Sequence, residues 1–147
     1  MSVLATRHIG IIVSDMGAAL RFYRDYLGLP VERSFPSRSG DYMSALTGLA
    51  DADLAIELLR APDGSLIELL QIRSHPAPRG KPAAMADVGR SHVAFTVADL
   101  DDLYRRRDAF SVAFNSAPLD SPDGVRVCFC RDPDGTMVEL VQPGRAR

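Results

Sequence analysis

Four side chains of metal-ligating type recur in a fixed order along this sequence: His8, Glu68, His92 and Glu139. Each stands at an equivalent place in one of two similar stretches. Residues 56–71 read IELLRAPDGSLIELLQ and residues 127–142 read VCFCRDPDGTMVELVQ; the two align without a gap. They share Arg60/Arg131, Pro62/Pro133, Asp63/Asp134, Gly64/Gly135, Glu68/Glu139, Leu69/Leu140 and Gln71/Gln142. Upstream of each lies a second echo, HIGIIVSDMGAAL from His8 and HVAFTVADLDDLY from His92. Imidazole nitrogen and carboxylate oxygen are ordinary donors to a divalent metal. Glu68 and Glu139 sit inside the apolar runs LIELL and MVELV, where a carboxylate without a counter-charge is expensive. Taken singly, a strand histidine is more often a hydrogen-bonded core residue, and a lone glutamate can be an edge or salt-bridged residue. Four together at equivalent positions of a twofold repeat favour a shared metal instead. Glu57 is the contrast: it also lies in an apolar run, but its counterpart is Cys128, so it reads as structural.

The elements that must position these residues follow from the pattern. The repeat predicts a first module over 1–74, a linker over 75–89 and a second module over 90–147. Arg7–Asp15 alternates as a strand, with Ile9, Ile11 and Val13 on one face and His8, Gly10 and Ile12 on the other. A helix follows, capped by Ser14 or Asp15, with a stripe of Met16, Leu20, Tyr23 and Leu27 and with Gly28 as its stop. VERSF reads as a short strand, and GDYMSALTGLAD has room for a helical turn. Leu54–Arg60 and Ser65–Ile72 are strands joined by the PDG turn at 62–64, giving β-α-β-β-β. The second module repeats this order: strand Ser91–Val97, a helix capped by Asp99 and carrying Leu100, Leu103 and Phe110, then SVAFN, Gly124–Arg131 and Thr136–Gln142. Turning the apolar strand faces toward the helices sends His8 and His92 to the opposite faces, beside the small residues Gly10 and Ala94. The linker carries three prolines and two glycines, and its His75, which nothing repeats, reads as an exposed loop histidine.

Composition narrows the function classes. The chain has 147 residues, 46% hydrophobic and 24% charged, as expected of one ordinary globular domain. A net charge of −2 leaves no basic footprint for nucleic acid and no polybasic membrane patch. No apolar run approaches the roughly 18–20 residues of a membrane span. The stretch before His8 is too short for a secretory signal, so the chain reads as cytoplasmic. Its two cysteines, Cys128 and Cys130, point to one strand face and are badly placed to bridge each other. They read as small buried residues, and a disulfide framework is excluded.

At these motifs the chain resembles the vicinal oxygen chelate superfamily, which groups glyoxalase I, methylmalonyl-CoA epimerase, extradiol dioxygenases, fosfomycin-modifying enzymes and bleomycin-binding proteins. HIGIIVSDMGAALRFYRDYLGL, APDGSLIELLQ, HVAFTVADLDDL and DPDGTMVELVQ carry the resemblance over nearly the whole chain. It implies an α+β fold in which two βαβββ modules form a cupped, partly open mixed sheet around a metal site. It implies His8, Glu68, His92 and Glu139 as ligands of one divalent ion (zinc, nickel, cobalt, manganese or iron), with Glu68 or Glu139 moving the proton. A homodimer is expected, with the ligands drawn from one subunit or two. The complete His-Glu-His-Glu set favours a lyase, isomerase or epimerase acting on a small hydroxy-carbonyl or thioester substrate. The alternatives are a ring-cleaving extradiol dioxygenase or a non-catalytic small-molecule-binding protein of the drug-resistance type. Glutathione-using bacterial glyoxalase I carries an Arg four residues after the first His and an Asn four residues after the first Glu. Here those positions are Ile12 and Ile72, which argues against a glutathione adduct as substrate.

Overall fold

The computed structural model describes residues 3–77 and 84–144. The chain divides into two compact units, 1–79 and 80–147. In the first, strand β1 (Ile9–Ile12) leads into helix α1 (Met16–Leu20), which continues as a π-helical turn over Arg21–Tyr26. Strand β2 (Val31–Ser39), helix α2 (Asp41–Thr47), β3 (Asp53–Arg60) and β4 (Leu66–Ile72) complete it. The sheet order is β1-β4-β3-β2, with β1 parallel to β4 and the other pairs antiparallel. Asp15 is the N-cap of α1, its carboxylate accepting from Ala18 N at 2.7 Å. Gly28 closes the helical segment at φ +81°, a conformation a side chain would strain.

The helix buries Ala19, Phe22, Tyr23 and Tyr26 rather than the expected stripe of Met16, Leu20, Tyr23 and Leu27. These four stand at i, i+3, i+4 and i+7, an ordinary amphipathic stripe displaced by about one residue from the expected one. Leu27 N donates to Phe22 O at 3.0 Å, five residues back, which marks the wider turn. These side chains cover the sheet face that carries Ile11, Val13, Leu59, Ile67 and Leu69, all buried. Removing an aliphatic side chain of that size from water contributes about 1.5–3 kcal/mol. The VERSF strand extends to nine residues, with register shifts after Val31 and Phe35. On the other face, Met43 of α2 packs with Ala52 and Leu54, and Leu49, Ile56, Leu70 and Ile72 close around them.

The second unit runs β5 (His92–Thr96), α3 (Leu100–Phe110), β6 (Ala113–Phe114), β7 (Leu119–Asp120), β8 (Arg126–Arg131) and β9 (Met137–Gln142). Its sheet order is β5-β9-β8-β6, β5 is parallel to β9, and β7 pairs with β8. Asp99 caps α3, accepting from Asp102 N at 2.8 Å. Leu100 and Leu103 are buried, and Cys128, Cys130, Val138 and Leu140 line the same core. SVAFN supplies only the two residues of β6, and β7 is an element the alternation did not signal. The described residues between β4 and β5 form neither helix nor strand, while 78–83 of the expected linker lie outside the described residues. No helix among the described residues is long and apolar enough to cross a membrane.

Candidate metal centre

Each unit brings its own histidine and glutamate together. In the first, β1 and β4 run parallel with Gly10 opposite Glu68, so His8, Gly10 and Glu68 share the sheet face away from the π-helical segment. His8 Nε2 lies 3.2 Å from Glu68 Oε2, with side-chain exposures of 34% and 18%. The missing side chain at Gly10 matters here, because a Cβ built on it would stand 3.8 Å from Glu68 Oε2. In the second unit Ala94 is opposite Glu139, and His92 Nε2 lies 3.1 Å from Glu139 Oε2. The Phe129 ring, paired across the sheet with Glu139, stands edge-on to His92 at 5.4 Å between centroids. Among the described residues no third His, Cys, Asp or Glu joins either pair.

This spacing fits a metal. Two donors about 2.0–2.2 Å from one ion and cis to each other are separated by about 3.0 Å in octahedral geometry and about 3.4 Å in tetrahedral geometry. Separations of 3.1 and 3.2 Å fall in that window. Both pairs are partly open on one side, so a small molecule can reach them. His75 is elsewhere: exposed, with Nδ1 3.0 Å from Ser74 Oγ. Glu57 projects from the opposite sheet face and accepts a hydrogen bond from Ser34.

The remaining repeated positions have structural duties. Arg60 Nη1 donates to Gly64 O at 2.8 Å and Arg131 Nη1 to Gly135 O at 3.0 Å, each clamping its PDG turn. Gly64 and Gly135 take φ of +90° and +85°, which the turns require. Leu69 and Leu140 are wholly buried. Gln71 Oε1 accepts from Met16 N at 3.2 Å, and Gln142 Oε1 accepts from Leu100 N at 2.8 Å, so each ties a helix N-terminus to the end of the last strand. These ties were visible in the sequence as repeats but carried no signal of what they do. Phe129 was missed altogether, because a strand phenylalanine looks like core until register places it beside His92. Of the seven positions shared by the strand pairs, the glutamates are the ones whose side chain is spent on neither turn, cap nor core.

Each unit thus carries one histidine set against one glutamate on the sheet face away from its first helix, within a repeat-built α+β fold. The chain belongs to the Glyoxalase/Bleomycin resistance protein/Dioxygenase superfamily, whose family model matches residues 6–140. It is 27% identical over 135 residues to the uncharacterized protein YaeR of Escherichia coli, covering 92% of this chain and 93% of that one. It is 25% identical over 143 residues to a protein named probable lactoylglutathione lyase in Vibrio parahaemolyticus, covering 95% and 91%. Its fold matches the crystal structure of a glyoxalase family protein from Bacillus cereus with TM-score 0.88 at 24% identity, covering 98% and 97% of the two chains.

Proposed function

We propose that the protein is a metal-dependent lyase, isomerase or epimerase of the glyoxalase type. His8, Glu68, His92 and Glu139 hold one divalent ion, with the donors drawn from one chain or from two. The observation that carries this reading is the duplicated His–Glu pair at cis-ligand spacing, built on glutamates that the fold does not otherwise use. The relative named as a probable lactoylglutathione lyase supports the reaction class. The ion, when bound, supplies Lewis acidity to adjacent substrate oxygens. The chain does the rest. A glutamate takes the proton alpha to the carbonyl and returns it, to the neighbouring carbon in an isomerisation or to the other face of the same carbon in an epimerisation, and the apolar surface around Ile12, Leu70 and Ile72 keeps water from the reacting end. Ile12 is 61% exposed and Ile72 packs into the Met43 cluster, so this wall offers no partner to a peptide carboxylate. The substrate is a small hydroxy-carbonyl or thioester compound, not a glutathione adduct.

Metal analysis of purified variants tests the assignment. His92→Ala is expected to lose most of the bound metal, whereas His75→Ala keeps it. Equal retention in both variants would overturn the ligand set. Tight, chelator-insensitive ligand binding without any proton exchange would identify a binding protein instead.

A further inference from the structure

We propose that a cavity on the site face of the first sheet takes the anionic end of the ligand, a carboxylate or phosphate group, through Arg7 and Arg33. This rests on the reading that the substrate meets His8 and Glu68. The cavity measures about 680 Å³ and is lined by Arg7, Glu32, Arg33, Leu58, Arg60 and Leu66, with the N-terminal Val3–Ala5 beside them. That volume suits a small molecule. Its charge is unbalanced: three guanidinium groups face one carboxylate. Arg60 is committed to Glu32 and to Gly64 O, and its hydrogen bond is the main reason the Glu32 carboxyl is held below its usual range. Arg33 adds to that field, but neither its guanidinium nor that of Arg7 makes a hydrogen bond or ion pair with any described residue. Exposed arginines on a sheet are commonly just solvated. Here two of them edge a concavity whose floor is leucine.

Register places that concavity next to the His–Glu pair. Gly10 pairs with Glu68, Glu68 with Leu58 and Leu58 with Arg33, and cross-strand partners project from one face. Two strand spacings put the Arg33 backbone about 10 Å from that of Glu68. Arg60 pairs with Leu66 one step along, in line with His8. A molecule with adjacent oxygens at the His8–Glu68 end, a short apolar middle over Leu58 and Leu66, and an anionic tail fits this row. Guanidinium forks bind carboxylate and phosphate alike.

The test titrates phenylacetate, phenyl phosphate and the neutral isostere phenylacetamide into wild-type protein, Arg7→Gln, Arg33→Gln and the double variant, by calorimetry at low salt, with and without chelator. At least one anion is expected to bind about tenfold or more tightly than the amide, since charge-assisted bonds exceed neutral ones. Whichever anion is favoured names the group. The preference shrinks as salt approaches 0.15 M, where screening acts over about 8 Å. It approaches unity in the double variant, whose unfolding midpoint and metal content stay at wild-type values. Equal binding of anions and amide by the wild type, or a preference that survives in the double variant, overturns the proposal. Full metal content with no anion preference sinks this inference and leaves the metal reading standing. Loss of the metal reading with an arginine-dependent preference intact does the reverse.

Discussion

The two glutamates are equivalent in the repeat but not in their surroundings, and on the proposed mechanism that difference predicts which one would move the proton. Glu68 lies between Gly10 and Leu58, whereas Glu139 lies between Ala94 and Phe129. A base that leaves a metal to reach a substrate proton needs space to swing. At Glu68 the neighbouring methyl is missing, and its place would be 3.8 Å from Oε2. At Glu139 that place holds the Ala94 side chain, and Phe129 braces His92 alongside. Glu68 is therefore expected to be the base and Glu139 the fixed ligand. Glu68→Gln keeps an oxygen donor and the side-chain shape but removes the base, for an expected loss of about 10²–10⁴ in kcat, or about 2.7–5.4 kcal/mol of barrier. KM should change little. Glu139→Gln should cost about tenfold or less in kcat while weakening metal retention. Solvent deuterium exchange into hydroxy-carbonyl and acyl-thioester compounds, read by NMR beside metal content, measures both. Gly10→Ala is a second handle. Its methyl would meet Leu70 Cδ1 at 3.5 Å, an ordinary contact, so the fold should hold or gain about 0.5–1 kcal/mol while exchange slows. Equal losses in the two Gln variants, or undiminished exchange in Gly10→Ala, would refute the argument from space.

Other expectations follow from the scaffold and the wall. Gln142→Leu removes the acceptor for Leu100 N beside a wholly buried leucine, so thermal unfolding should drop by roughly 3–10 °C for a cost of about 1–3 kcal/mol; a shift under about 1 °C would show the tie to be incidental. Burial pushes the Cys128 thiol up to about 11 and the Cys130 thiol up to about 12. The unfolded thiols ionise first, so stability is intact below about pH 9 and falls as pH rises toward the folded values, by about 1.4 kcal/mol per pH unit per thiol. Denaturant midpoints measured from pH 8 to 11 should slope less in Cys130→Ala, and an identical slope would contradict this. The glutathione–methylglyoxal hemithioacetal should be a poor substrate; turnover at about 10 per second or more would show that residues other than Ile12 and Ile72 hold the peptide.

Much of this architecture was legible because the sequence repeats itself. Strand parity could be read from Ile9, Ile11 and Val13, and the same parity put His8 and Gly10 on the far face, where register now sets Gly10 opposite Glu68. Asp15 and Asp99 announced their helices as caps. What escaped was set by non-local geometry. The first helix offers apolar residues on adjoining stripes, and tertiary packing buries Ala19, Phe22 and Tyr26 rather than Met16, Leu20 and Leu27. The lengths of β2 and β6 depend on pairing with β3 and β8, not on their own alternation. The arginine-lined cavity joins residues from the N-terminal segment, β2, β3 and β4, far apart in sequence and unrepeated.

The pattern of agreement between the two copies is itself informative. Where they agree, at the turn arginines, the glycines, the buried leucines and the capping glutamines, the shared residue does the same structural work twice. The His–Glu pairs agree as well, yet they support no turn, cap or core, as the proposed ligand set requires. The copies diverge at many positions, core and turn included, and also beside those pairs: Gly10 against Ala94, Leu58 against Phe129, and a nine-residue β2 bearing Arg33 against a two-residue β6. A symmetric set of donors needs only the scaffold to be conserved between halves. On the proposed reading, an asymmetric substrate with a reacting end and a charged tail needs the halves to differ beside the donors, as they do at Gly10, Leu58 and Arg33.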